Sequence, residues 1–307
     1  MERRTRTTSM AIVIFVAGSL LTAFSYWPGL SGPFLFDDIG SLGDLGDYGG
    51  VTDWHTFRQF VFGGVTGPTG RPLSLLSFLI DGTTWPTDPW PFKRTNLVIH
   101  ILNGLLIGAL SWQTVRILDM DQRRAMVVAA LCALAWTLHP LLVSTVLYPV
   151  QRMAQLAALF CLLGLNTYAY ARQRVLIKEG SSYLLMTMSI PLFTLLAMLS
   201  KENGALLPLL IAVFELTVIN QRKEVLGHLH TTWFVVFLAL PSLLLVGYLL
   251  KLGLTADFFV QIPMREFSLY ERLLTESRIV VDYLRLWFLP PLYTSGIFQD
   301  HFGKSAG

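Results

Sequence analysis

Two adjacent carboxylates, Asp37 and Asp38, close the apolar run Phe34-Leu35-Phe36. One of such a pair can act as a general base when its partner or a nearby cation tunes it. The pair could also hold a divalent metal, although two carboxylates alone underfill an octahedral site. The plainer reading is a helix cap plus a solvated acid. Cations recur beside other apolar runs. Arg71 sits between Gly70 and Pro72, as a phosphate ligand or simply a loop arginine. His139-Pro140 ends one apolar run, and Pro149 precedes Gln151-Arg152 at the start of the next. An arginine beside a helix N-terminus suits a phosphate or another anion, and its competing role is snorkelling to lipid headgroups. Ser200-Lys201-Glu202-Asn203-Gly204 joins two apolar runs with almost no spacer. Lys201 is then either an anion ligand or half of a local ion pair with Glu202. Asn96, His100 and Asn103 fall at i, i+4 and i+7, so they share one helical face. They either line a cavity or hydrogen-bond between helices. Jointly, these acids and cations are what a lipid-phosphate substrate requires: cations for the phosphate, a base for an acceptor and a lipid-accessible bundle for the tail.

The elements that must position these groups are apolar helices. Seven runs are long enough to span a bilayer: about 10–27, 97–115, 125–147, 152–171, 182–200, 203–220 and 231–250. Arg3, Arg4 and Arg6 precede the first. Arg116, Arg123 and Arg124 lie between the second and third, Arg172, Arg174 and Lys178 after the fourth, and Arg222 and Lys223 after the sixth. If every run crosses once, all four clusters fall on one side, which the positive-inside rule makes cytoplasmic. The segment 28–95 is then an acidic first extracytoplasmic loop, with Asp37, Asp38, Asp44, Asp47, Asp53, Asp81 and Asp88. Within it, 54–62 and 71–80 read as short helices lying at the membrane interface, and Trp85 and Trp90 suit an interfacial belt. The segment 251–307 also falls outside. Its stretch 278–289 places Arg278, Asp282 and Arg285 on one face, which predicts an amphipathic surface helix in preference to an eighth span. The first run is retained as a span, because a signal-peptide core is usually shorter and Ala23-Phe24-Ser25 is a poor cleavage site.

Composition agrees. Of 307 residues 53% are hydrophobic and 14% charged, with a mean hydropathy of +0.55. Soluble domains carry about 25% charged residues, so a soluble enzyme, a nucleic-acid-binding module and a disordered tail are excluded. Cys132 and Cys161 both lie in apolar runs, with no zinc spacing and no disulfide framework. The expectation is a single all-α integral membrane domain over 1–307, in a bacterial inner membrane with a cytoplasmic N-terminus.

The ordered set of motifs carries a resemblance. Phe36-Asp37-Asp38, Gly70-Arg71-Pro72-Leu73, Asn96…His100…Asn103, Leu138-His139-Pro140, Gln151-Arg152 and Leu199 to Gly204 are followed by Leu274 to Arg278 and Tyr283-Leu284-Arg285-Leu286. Over nearly the whole chain this resembles the membrane region of GT-C superfamily glycosyltransferases, especially the protein O-mannosyltransferase-like group that often carries TPR repeats. No TPR array follows here, and members of the group usually continue with further spans.

The resemblance implies a GT-C-like bundle and inverting transfer of a sugar from a polyprenyl-phosphate-linked donor. The acceptor is a hydroxyl of a protein or glycan on the extracytoplasmic face. It implies an acidic base in the first outer loop, which maps onto Asp37 or Asp38, with Asp37 favoured. Placement then assigns Arg152 and Lys201 to the donor phosphate, with Arg71 and His139 as weaker candidates. His100, Asn103, Gln151 and Glu202 are expected to line the site. No cofactor is assigned, with a divalent metal left open, and the partners are the lipid-linked sugar, the acceptor and membrane lipids. The competing function is a non-catalytic assembly or lipid-binding subunit that keeps the scaffold. A transporter is less favoured, because neither an inverted repeat nor a midplane acidic relay is visible.

Overall fold

The computed structural model describes residues 2–64, 67–255 and 267–290. Every regular element among them is helical. The helices are α1 (Glu2–Tyr26), α2 (Asp37–Leu42), α3 (Trp54–Phe62), α4 (Pro72–Phe78), α5 (Pro89–Ile117), α6 (Gln122–Thr137) and α7 (Val143–Leu147). They continue with α8 (Arg152–Arg172), α9 (Glu179–Ser200), α10 (Leu207–Thr217), α11 (Lys223–Leu226), α12 (Thr231–Phe234), α13 (Leu240–Thr255) and α14 (Leu269–Phe288).

Five helical stretches are long and apolar enough to cross a membrane: Pro89–Ile117, Pro149–Arg172, Glu179–Ser200, Glu202–Leu226 and Thr231–Thr255. A sixth arises if Gln122–Thr137 and Pro140–Leu147, bent by 47° at their junction, count as one span. The run 125–147, expected as one crossing, is therefore broken. Pro140 and Pro149 lack the N–H that a continuous helix needs. α1 contributes a shorter apolar stretch, Val13–Gly29. The apolar surface faces outward: only 11% of the Thr231–Thr255 window is buried, and Leu243, Leu244, Leu250 and Leu254 are exposed. Such a surface requires lipid around it, so the chain is an integral membrane protein. Thr231–Thr255 stays continuous past Pro241 by widening to a π turn over Val235–Ala239, the usual accommodation to a missing donor.

The segment 28–95 is not a loose loop. Leu42, Leu45, Phe60, Val61, Leu75, Phe78 and Phe92 form one core with Tyr148, Val150 and Met153 at the start of α8. α3 follows its expected boundaries, with a capping box between Asp53 and Thr56. α4 buries Ser74, Leu75 and Phe78 in protein and leaves Leu76 exposed. The Ser74 hydroxyl donates to the Ser200 carbonyl at 2.9 Å. α14 begins nine residues before the expected 278, because Ser268 and Glu271 form a capping box. The segment 251–307 lies only partly within the described residues, and Gln299, Asp300 and His301 lie outside them.

At the opposite end of the helices, Arg172 is buried and bound to Glu215 at 3.0 Å and to the carbonyls of Leu226 and Gly227. Tyr168 donates to the same Glu215 at 2.7 Å. This network ties the 218–230 connection to α8 and α10. α5 and α6 touch most closely at Gly104, where an added Cβ would lie 2.2 Å from the Thr137 Cγ2. Gly104→Val is therefore expected to cost about 1–3 kcal/mol, read as a lowered thermal midpoint in detergent. An unchanged midpoint would show that the two helices can separate freely.

Candidate functional site

The broken segment 138–151 leaves carbonyls without helical partners, and at membrane depth each must be satisfied within the protein. Thr137 O would normally receive the Leu141 N–H, but that N–H goes to His139 Nδ1. His100 Nε2 takes its place at 3.0 Å, which requires the Nε2–H tautomer. Thr145 O faces Pro149, which has no N–H, and the Gln155 amide donates to it at 2.6 Å. Val146 O loses the Val150 N–H and receives Asn96 Nδ2 at 3.2 Å, an amide that also reaches Tyr148 O and Pro149 O. Asn103 Nδ2 donates to Gln155 O at 3.0 Å. Asn96 and His100 thus hold the bend, while Asn103 ties α5 to α8; His100 and Asn103 are 2% and 1% exposed.

The N–H released at Val150 goes to Asp38 Oδ1 at 2.7 Å, and Asp38 Oδ2 accepts the Leu35 N–H at 2.9 Å. Asp38 is a fully buried carboxylate seated at the start of α8, where the helix dipole favours negative charge. Burial pushes its pKa up to about 6, against the two N–H donors and the nearby Lys93 ammonium. Lys93 is itself buried, donating to Gly32 O at 2.8 Å and Pro33 O at 3.1 Å. Asp37 is different. Phe36, just before the two acids, takes a φ of 38°, a backbone conformation that side-chain-bearing residues rarely adopt. Asp37 stays exposed, its N–H donating to the Tyr148 hydroxyl at 2.9 Å. The same hydroxyl is hydrogen-bonded to the Asp37 carboxylate.

Arg152, expected at the surface facing a phosphate, is fully buried. Nε donates to Asn96 Oδ1 at 2.8 Å, Nη1 to Ser77 O at 2.9 Å, and Nη2 to Phe92 O at 2.8 Å and Asp81 Oδ2 at 2.5 Å. Its guanidinium also lies over Phe78, 4.6 Å from the ring centroid. Four of its five N–H donors are thus taken inside the protein. Asp81 completes the cage by accepting from Thr95 at 2.6 Å and lying 3.6 Å from Arg94.

Arg71 pairs with Glu202 at 2.9 Å through Nη2, with Nε 3.2 Å from both carboxylate oxygens. Thr69 donates to the same carboxylate, and Arg71 Nη1 contacts Met153 Sδ at 3.3 Å. Lys201, between these groups in charge range of Arg71 and Glu202, is half-buried. Its ammonium has no hydrogen-bond or ion-pair partner among the described residues. Gln151 is half-buried, and its side chain is likewise without a hydrogen bond there. His139 is turned elsewhere: it stacks on Trp287 of α14 with centroids 4.3 Å apart, and its Nε2 bonds Trp287 O at 2.9 Å.

The first turn of α8 and the four residues before it are therefore the hub. Asp37 hangs on Tyr148, Asp38 on Val150, and Arg71 meets Met153. An exposed carboxylate, Asp37, hangs on Tyr148 just before α8, and Lys201 lies in charge range of Arg71, which reaches Met153 in the first turn of α8. Sequence reasoning missed Asp81, Lys93 and Tyr148 as organisers. Asp81 and Lys93 were visible only as loop charges, and nothing local to Tyr148 marks it. Among the described residues no group of three or more His, Cys, Asp or Glu side chains converges on a metal position, and both oxygens of Asp38 are occupied. No family model, curated protein or solved structure matches the chain.

Proposed function

We propose that this protein is a membrane glycosyltransferase that moves a sugar from a polyprenyl-phosphate donor to an acceptor hydroxyl on the extracytoplasmic face. The observation that carries the reading is the division of labour at the start of α8: Asp38 and Arg152 hold the frame, while Asp37 and Lys201 remain available. Asp37 takes the acceptor proton and the acceptor oxygen attacks the anomeric carbon with inversion. The polyprenyl phosphate departs with its electron pair, its charge met by Lys201 and by Arg71 when Glu202 yields it. His139 and Arg152 drop out of the phosphate role because their donors are engaged elsewhere.

In this reading the end of the bundle that carries Asp37 faces out of a bacterial inner membrane, which the positive-inside pattern of the Arg and Lys clusters supports. The competing reading, a non-catalytic lipid-binding subunit, is favoured by how much of the polar machinery serves structure.

Lys201→Ala tests the assignment without touching the frame. Donor binding in detergent micelles is expected to weaken by roughly tenfold, the loss of one charge-assisted contact of about 1.5 kcal/mol. Equal binding by Lys201→Ala and wild type would remove the phosphate site. Donor binding without any turnover would select the non-catalytic subunit.

A further inference from the structure

The end of the bundle opposite Asp37 holds a cavity of about 200 Å³, lined in part by Arg172, Glu215, Asn220, Lys223 and His228. Two membrane-length stretches end at Arg172 and Leu226, and another begins at Thr231. The cavity therefore lies at the level of the lipid headgroups.

Its polar side offers donors. The side chains of Lys223, His228 and Asn220 have no hydrogen bond or ion pair among the described residues. Water satisfies an exposed lysine or histidine at any surface. What distinguishes this place is an arginine, 1% exposed, that lines the same cavity. Arg172 donates through Nε to Glu215, through Nη1 to Leu226 O and through Nη2 to Gly227 O. Three of its five N–H donors are thus engaged, and two are uncommitted among the described residues. Glu215 is the single acid in the lining. Its charge is met by Arg172 at 3.0 Å, and its Oε2 accepts the Tyr168 hydroxyl at 2.7 Å. The lining is left with the uncompensated charge of Lys223 and with amide, imidazole and guanidinium N–H groups beside it. A cation is repelled there, whereas an oxyanion with several acceptor oxygens uses every one of these groups.

The remaining wall is apolar. Leu216 is 60% exposed and Phe234 is half-buried, and both line the cavity. Donors on one side and apolar surface on the other, at headgroup level, match an amphiphile better than a free ion. Basic pockets between spans are a recurrent way of holding anionic headgroups.

We propose that this cavity is a phosphate site and that its occupant is the headgroup of an anionic membrane phospholipid. The phosphate bridges Arg172 of α8 to Lys223 and His228 of the 218–230 connection. The first acyl carbons lie on Leu216 and Phe234. This site is independent of the sugar transfer proposed at the Asp37 end.

The test is native mass spectrometry of the full chain, delipidated in detergent and titrated with dioleoyl phosphatidylglycerol, dioleoylglycerol or inorganic phosphate. Wild type is expected to retain phosphatidylglycerol at least roughly tenfold more strongly than dioleoylglycerol, which has the same tails and no phosphate. Lys223→Ala is expected to weaken that retention by roughly tenfold, the worth of one charge-assisted contact. Lys223 is exposed, so this variant keeps the fold. Lys178→Ala removes an exposed lysine at the same end but outside the lining, and is expected to leave retention unchanged. Equal retention by Lys223→Ala and wild type overturns the site. An equal loss in Lys178→Ala also overturns it, by reducing the effect to bulk attraction of charge. Dioleoylglycerol retained as strongly as phosphatidylglycerol overturns the phosphate. Inorganic phosphate that displaces the lipid at equimolar concentration supports the phosphate site and overturns the lipid as its occupant.

Discussion

Asp37→Asn is expected to lower sugar transfer in membranes by about 10²–10⁴-fold, the usual contribution of a positioned general base. Its stability should stay within about 0.5 kcal/mol of wild type, as for other exposed substitutions. Asp38→Asn should do the reverse. Its amide would present an NH₂ to one of two backbone N–H groups, those of Leu35 and Val150. One buried donor then faces another, at a cost of about 1–3 kcal/mol. Thermal unfolding in detergent and transfer assays on the same preparations separate the two neighbours. Full transfer by a folded Asp37→Asn variant would end its assignment as base.

The same contrast extends to pH. Burial raises the folded-state pKa of Asp38 to about 6 from an ordinary 3.8. Between those values the folded protein binds more protons at this site than the unfolded chain does. Stability contributed by the group is therefore full below about pH 4 and falls as pH rises through 6. Asp38→Asn should flatten that part of the stability profile, whereas Asp37→Asn should leave it in place.

Arg152→Ala is the second large effect, expected to destabilise the fold by about 3–5 kcal/mol because it strands a buried Asp81 carboxylate. The Ser77 and Phe92 carbonyls and the Asn96 amide oxygen lose their donors as well. Arg152→Lys cannot rescue it fully, because one ammonium cannot reproduce a planar fork aimed at four acceptors. Pairing Arg152→Met with Asp81→Asn should recover only part of the loss: the stranded charge is gone, but the guanidinium's hydrogen bonds to Ser77 O, Phe92 O and Asn96 Oδ1 are not replaced. The measurement is chemical denaturation in detergent of wild type and the three variants. A folded Arg152→Ala protein within 1 kcal/mol of wild type would show the cage to be dispensable and return Arg152 to the phosphate candidates. The charge balance argues otherwise. A cation at a helix N-terminus opposes the dipole, and Asp38 and Asp81 are the two carboxylates that offset it.

Much of this was legible in the chain itself. Membrane character follows from apolar runs with few charges, because a helix in lipid satisfies its own backbone and needs only an apolar surface. Helix positions could be placed within several residues for the same reason, and the Asp53 and Ser268 caps are written in local sequence. The Asn96, His100 and Asn103 face was readable as a helical stripe, but its task was not. That task depends on carbonyls of the broken segment and of α8 that lie far along the chain: Thr137 O for His100, Val146 O and Pro149 O for Asn96, and Gln155 O for Asn103.

Only the tertiary structure decided which of two adjacent acids is buried. Asp38 is the buried one because its carboxylate receives the N–H of Val150, 112 residues distant. The tertiary structure likewise decided that Arg152 belongs to Asp81, 71 residues before it. Local spacing sets helices, because their hydrogen bonds join near neighbours. The fate of a buried charge is set by whichever distant element supplies its counter-charge and donors, and that requires the packed chain.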